Sequence, residues 1–212
     1  MGFINYIKKT YHRNLLELLL SKNKYLIKNK ILDIGSKNRR YDHLFNGDII
    51  AIDIIPDPDL NVIKGDVTNL KFQLNEFDSI ICLEVFEFLK PEEFKAGIDE
   101  IYRVLKQGGT VLISIPFYYY DHGDYIRLTY KYVYDYLKKF NKFKFKIVKF
   151  GNKYTTIFDN LRYYMIERRR TFLKGMEMTP ILFIFYLIIK IFSLERKKDF
   201  FYSGLFIIAS KK

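Results

Sequence analysis

A chain of 212 residues, 49% hydrophobic and 18% aromatic, carries enough apolar surface for one full domain core, which excludes a disordered polymer. Its single cysteine, Cys82, excludes an intramolecular disulfide and suits a reducing compartment. The formal charge of +12 is uneven: from Gly151 to Lys212 twelve Lys/Arg face five Asp/Glu, so +7 lies there and +5 in the first 150 residues.

In residues 3–28, Phe3, Ile7, Tyr11, Leu15, Leu18 and Leu19 recur at helical spacing. They predict one amphipathic helix packed beside the core, so 1–29 is an appendage and 30–212 the main domain. Lys8, Lys9, His12, Arg13 and Glu17 interrupt Ile4–Leu20, so the segment does not read as a secretory leader and cytoplasmic residence is expected. Lys30–Ile34 is a predicted strand that breaks at Gly35. Asp48–Ile54 is a second, stopped by Pro56 and Pro58. A short strand at Asn61–Lys64 leads to Gly65-Asp66-Val67, and Phe77–Leu83 is apolar enough to be covered on both faces. Pro91–Leu105 reads as a helix ended by Gly108-Gly109, Thr110–Ile115 as a strand, and Thr129–Phe140 as another helix. Phe143–Phe150 and Gly204–Ser210 complete the strands, with a helical insertion, 156–198, before the last. This alternation predicts a Rossmann-like, doubly wound α/β fold: a seven-stranded, mostly parallel sheet with an antiparallel last strand.

Within that frame, Ile31-Leu32-Asp33-Ile34-Gly35-Ser36 followed by Ala51-Ile52-Asp53-Ile54 is the pattern of a nucleotide-type cofactor site. The glycine permits close backbone approach, and a following helix would offer unpaired N–H groups. The carboxylate about 20 positions on accepts ribose hydroxyls.

Two further blocks carry a resemblance. Phe77-Asp78-Ser79-Ile80-Ile81-Cys82-Leu83-Glu84-Val85-Phe86-Glu87, then Ile101-Tyr102-Arg103-Val104-Leu105-Lys106-Gln107-Gly108-Gly109-Thr110, resembles the class I S-adenosylmethionine-dependent methyltransferases, specifically the type 11 methyltransferase-domain group. Gln107 stands where that group usually has proline, and Phe88 where many members have histidine. The resemblance covers nearly the whole chain and implies S-adenosyl-L-methionine as cofactor. It places Asp33, Gly35 and Ser36 at the methionine end, Asp53 with Ile54 at the ribose, Asp66 and Val67 at the adenine, and Leu83 and Glu84 beside the methionine moiety. For Asp33 and Asp66 the alternative is turn formation or capping. Lys37 occupies the usual second glycine of the first turn, where a side chain crowds the cofactor or forces an unfavourable backbone angle.

The stretch Ile115-Pro116-Phe117-Tyr118-Tyr119-Tyr120-Asp121-His122-Gly123-Asp124-Tyr125-Ile126-Arg127-Leu128-Thr129 is similar to a signature of methyltransferases associated with polysaccharide and glycolipid assembly. It implies O-methylation of a sugar, glycan or lipid-linked saccharide. His122 is the candidate base, since imidazole titrates near neutrality, with Asp124 assisting. Tyr119, Tyr125 and Arg127 are candidate acceptor-binding residues. The alternatives are that His122 and Arg127 only secure the loop. His12 and His43 sit in no motif and read as structural or exposed, and no Cys/His/carboxylate cluster has metal-ligand spacing.

The apolar run Ile181–Ile189, continued past Lys190 to Leu194, is too short to span a bilayer. Flanked by Arg168-Arg169-Arg170 and Arg196-Lys197-Lys198, residues 168–198 suit the interface of an anionic membrane, with Lys190 snorkelling outward. That reading places the protein peripherally on the inner face of a membrane. The alternatives are burial on the sheet or a homodimer contact. Two rival functions remain beside the leading one. RNA methylation suits the charge but lacks an RNA-binding signature, so nucleic acid is the weaker partner; a non-catalytic scaffold on a degenerate fold is motivated by Lys37.

Overall fold

A computed structural model describes residues 2–118, 123–164, 179–197 and 200–212. Seven strands form one sheet: β1 (Lys28–Ile34), β2 (Asn46–Asp53), β3 (Val62–Lys64), β4 (Phe77–Leu83), β5 (Leu105–Pro116), β6 (Phe143–Phe150) and β7 (Gly204–Lys211). Their order is β3-β2-β1-β4-β5-β7-β6. Strands β1 to β5 are parallel, and β7 enters antiparallel between β5 and β6. The order reverses between β1 and β4, so the carboxyl ends of these strands border the crevice where a wound sheet takes its ligand. This is the Rossmann-like arrangement the strand pattern predicts.

The described α-helices are α1 (Phe3–Lys8), α2 (Tyr11–Asn23), α3 (Pro91–Val104), α4 (Tyr130–Phe140), α5 (Lys153–Arg162) and α6 (Thr179–Ile191). Strand alternation sorts the core. Leu32 and Ile34 join Ile98 and Ile101 of α3 and Val133 and Leu137 of α4, whereas Ile31 meets Leu16 and Leu20 of α2 on the opposite face. Asp33 shares the face of Ile31, two residues away, so its carboxyl turns toward the side covered by α2. A third cluster, Tyr6, Tyr11, Phe158, Leu182, Tyr186 and Ile189, joins α1, α2, α5 and α6.

Three local expectations are corrected. The single helix over 3–28 is two, separated at Lys9 and Thr10, both in extended conformation. The break is stabilised because α2 gains its own cap: Thr10 Oγ1 accepts from the Arg13 N–H at 3.1 Å. Asp159 of α5 accepts from the N–H groups of Tyr11 at 2.6 Å and His12 at 2.9 Å. Gly108-Gly109 does not end a helix; α3 stops at Val104 and β5 starts at once, with Gly108 at φ +71° where the register against β4 shifts. Finally, no α-helix follows Gly35. Residues 35–45 reach β2 through turns and one 3-10 turn, Asp42–Leu44. Lys37 at φ +42° and Arg39 at φ +48° are left-handed, which interrupts helix propagation.

Candidate functional site

The first turn is built around Gly35. Its φ is +73°, and a Cβ there would lie 2.3 Å from Val85 Cγ2, so both conformation and space demand glycine. The N–H groups of Gly35 and Ser36 both donate to the Ile52 carbonyl, at 2.8 and 3.1 Å, tying the turn to β2. Lys37 N–H donates to Asp53 Oδ2 at 3.1 Å, and Ile55 N–H to Asp53 Oδ1 at 3.0 Å. Arg39 N–H donates to the Ser36 carbonyl. The turn therefore spends four of its own N–H groups internally.

A cavity of about 260 Å³ opens beside this turn at the switch point. Asp33, Gly35, Ser36, Leu83 and Glu84, all expected at the methionine end, line it together. Arg13 from α2 and Glu87 beyond β4, which the sequence did not single out for this site, line it too, as does Phe88, which stands where many family members have histidine. Arg40 and Tyr41 also contribute. Arg13 Nη1 donates to the Tyr41 hydroxyl at 3.1 Å. No local sequence signal marks Arg13, because it reaches the pocket through the packing of an amphipathic helix.

Asp33 is 7% exposed, and its carboxyl accepts no hydrogen bond from the described residues. Burial pushes its pKa up from 3.8 to about 8; Asp42 and Asp53 add repulsion and Arg39 opposes them. Such a group awaits a cationic partner.

Glu84 is the opposite case. It ends β4 at φ +59°, and its N–H is held by the Ser114 carbonyl. Ser114 Oγ donates to Glu84 Oε1 at 2.7 Å, and His12 Nε2 lies 3.0 Å from Oε2. Burial alone would raise this carboxyl, but the His12 charge and hydrogen bond, the Ser114 hydroxyl and Arg13 hold it below the usual range. His12, 2% exposed, also meets Ser203 Oγ through Nδ1 at 3.1 Å. It thus pins α2 to the ends of β4 and β7.

The other expected cofactor residues lie outside this cavity. Asp53 is half-buried and Ile54 is 66% exposed. Asp66 is exposed, and its Oδ1 accepts from the N–H and Oγ1 of Thr68, both at 2.8 Å, as in a self-closed turn. The Val67 side chain is buried in the α3 core.

Of the acceptor-loop residues, Tyr119 and His122 lie outside the described residues, as do Arg168-Arg169-Arg170 and Lys198. Arg127 forms a two-pronged ion pair with Asp124 through Nε and Nη2, and donates from Nη1 to the Phe117 carbonyl at 2.8 Å. These contacts join the two ends of the loop. Tyr125 exposes its ring at 68%, while its N–H and that of Ile126 hold the Glu87 carbonyl at 2.7 and 3.2 Å.

Helix α6 packs Leu182, Tyr186 and Ile189 inward. Lys190 also turns inward, which corrects the expectation of an outward lysine: its Nζ lies 3.0 Å from Glu195 and 5.0 Å from the Tyr6 ring centre. Ile181, Ile184, Ile188, Ile191 and Phe192 remain 41–71% exposed. Among the described residues no helix is long and apolar enough to cross a membrane.

Residues 32–113 match the family model described as "Methyltransferase domain". No curated protein sequence matches the chain. Among solved structures it is similar to a SAM-dependent methyltransferase from Archaeoglobus fulgidus, with TM-score 0.62, 17% identity and 99% of each chain covered. It is similar to the [4+2]-cyclase SpnF, with TM-score 0.58, 15% identity, and 96% of this chain and 83% of that one covered. It is also similar to phosphoethanolamine N-methyltransferase 2 of Haemonchus contortus in complex with S-adenosyl-L-methionine, with TM-score 0.55, 15% identity, and 95% of this chain and 52% of that one covered. At these identities the structures show a shared fold, which by itself leaves the substrate open.

Proposed function

We propose that this chain, a class I methyltransferase of the type 11 domain group using S-adenosylmethionine, O-methylates a sugar, glycan or lipid-linked saccharide. The observation that carries the cofactor half is the partnerless, buried Asp33 carboxyl facing a cavity that also contains cationic side chains. A zwitterionic amino-acid end fits such a pair of charges. Gly35, packed against Val85, shapes the turn beside the cavity, and in this reading Asp53, at the end of β2, accepts the ribose hydroxyls. When bound, the cofactor supplies a methyl group already activated on a sulfonium. The chain's residues then have to orient the acceptor and take its proton.

For that second task we assign His122 as the base. Its loop is anchored on both flanks: the Arg127 fork grips Asp124 and Phe117, and the carbonyl of the cavity residue Glu87 holds Tyr125 and Ile126. The exposed Tyr125 ring offers a stacking face for a sugar, with Tyr119 as a second candidate. Lys37 does not favour the scaffold reading, because its side chain is exposed and its N–H supports Asp53.

The lipid-linked form of the acceptor is supported by α6. Its exposed apolar face lies between two basic clusters in the sequence, a combination that suits peripheral docking on an anionic inner membrane leaflet. Flotation with phosphatidylglycerol vesicles checks this: the protein co-floats, I184E/I188E stays behind, and equal co-flotation of that variant would overturn the docking. Transfer of labelled methyl to lipid and glycan extracts checks the activity. Label in a saccharide-bearing product, lost in His122→Ala, is expected; label confined to RNA would overturn the acceptor class.

A further inference from the structure

Wound α/β sheets commonly hold an anionic ligand group on the N–H groups of the first turn and of the helix behind it. This chain lacks that helix and uses most of the turn's N–H groups internally. The N–H groups of Gly35 and Ser36 are committed to Ile52, that of Lys37 to Asp53 and that of Arg39 to Ser36. Residues 35–45 contain no α-helix to supply a positive end. A ligand carrying an α-carboxylate therefore needs a cation brought from elsewhere.

We propose that Arg13, delivered by α2, binds the α-carboxylate of the cofactor's methionine moiety and takes over the work of the missing helix. The proposal rests on the cofactor reading above and names a binding residue within that site. Arg13 and Asp33 line the same cavity, together with Lys37, Arg40, Glu84 and Glu87, so its wall carries both signs of charge that an amino acid needs. Arg13 is half-buried, whereas the other cations at the cavity, Lys37 and Arg40, are exposed on the turn.

Its position is also fixed from several sides. Nη1 bonds the Tyr41 hydroxyl at 3.1 Å, and its own N–H is capped by Thr10. The neighbouring His12 is fastened to Glu84 and Ser203, and Asp159 clamps the first turn of α2. A guanidinium held in place this way meets a carboxylate with little ordering cost. The N-terminal helices thereby become part of the site.

Calorimetric titration with two ligands separates this role from general support of the fold. S-adenosylhomocysteine carries the amino-acid end, and 5′-methylthioadenosine lacks it. Arg13→Gln is expected to weaken S-adenosylhomocysteine by ten- to a hundredfold and to leave 5′-methylthioadenosine within threefold of wild type. Tyr41→Phe, which removes only the hydroxyl that positions the guanidinium, should weaken the first ligand a few-fold and spare the second. An unchanged affinity of Arg13→Gln for S-adenosylhomocysteine, or equal losses for both ligands, overturns the assignment while leaving the cofactor site standing. Failure of the wild-type protein to bind either ligand overturns the cofactor reading itself.

Discussion

Replacing Asp33 by asparagine tests the electrostatics of the cavity most sharply. Burial carries this carboxyl from 3.8 to about 8, so the folded chain binds a proton there that the unfolded chain releases. Folding stability from this group is highest below 3.8, declines as pH rises toward about 8, and levels off beyond. At pH 7, roughly 3 units above the unfolded value, the cost is up to about 4 kcal/mol at 1.36 kcal/mol per unit. Asparagine does not titrate, so Asp33→Asn should stabilise the ligand-free protein at pH 7 by up to that amount and flatten its stability between pH 4 and 8. Binding should show the reverse sign. Holding an ammonium needs the carboxylate, so the wild-type protein releases a proton on binding S-adenosylhomocysteine. Its affinity then climbs by up to tenfold per pH unit until about 8, where an α-amino group begins to lose its own proton. In Asp33→Asn the climb disappears and binding weakens by about 10- to 100-fold. Calorimetry from pH 6 to 9, in buffers of different ionisation enthalpy, counts the proton directly. A wild-type affinity flat from pH 6 to 8 with no proton release, or undiminished binding by Asp33→Asn, would refute the reasoning.

Gly35→Ala places a Cβ against Val85 Cγ2 at φ +73°, so a loss of about 3 kcal/mol in urea unfolding is expected; a loss under 1 kcal/mol would contradict the packing. Lys37→Gly relieves a left-handed residue without touching the backbone bond to Asp53, so the melting temperature should rise by about 2 °C with cofactor affinity retained; a fall in either would count against that geometry. Asp159→Ala strips two N–H groups at the start of α2 of their acceptor, for a loss of about 2 kcal/mol by denaturant melt, and faster amide exchange at Tyr11 and His12 should accompany it. No change in exchange there would mean that the carboxylate does not hold the helix.

The sheet was legible because its strands are apolar runs with clear stops: Phe77–Leu83 is recovered residue for residue, and Asp53 ends β2 as the motif requires. The grouping of Asp33, Gly35, Leu83 and Glu84 around one cavity was legible for the same reason, since they sit at strand ends whose places the topology dictates. What escaped was set by tertiary packing or by single backbone angles. His12 and Arg13 look like ordinary residues of an amphipathic helix, and only the docking of α2 by Asp159, about 150 positions away, brings them to the cavity. The lost helix after Gly35 turns on left-handed Lys37 and Arg39, residue types that carry no such preference. Lys190 faces inward because Glu195 and the rings of Tyr6, Tyr11 and Tyr186 gather around it, an arrangement that a count of apolar residues cannot foresee.

A structure of the protein crystallised with S-adenosylhomocysteine tests the central claim most directly. The amino-acid end should lie in the cavity, with its ammonium within hydrogen-bond distance of Asp33 and the ribose hydroxyls on Asp53. A cavity that stays empty at saturating ligand, or a nucleoside bound away from the β1 and β4 ends, would contradict it.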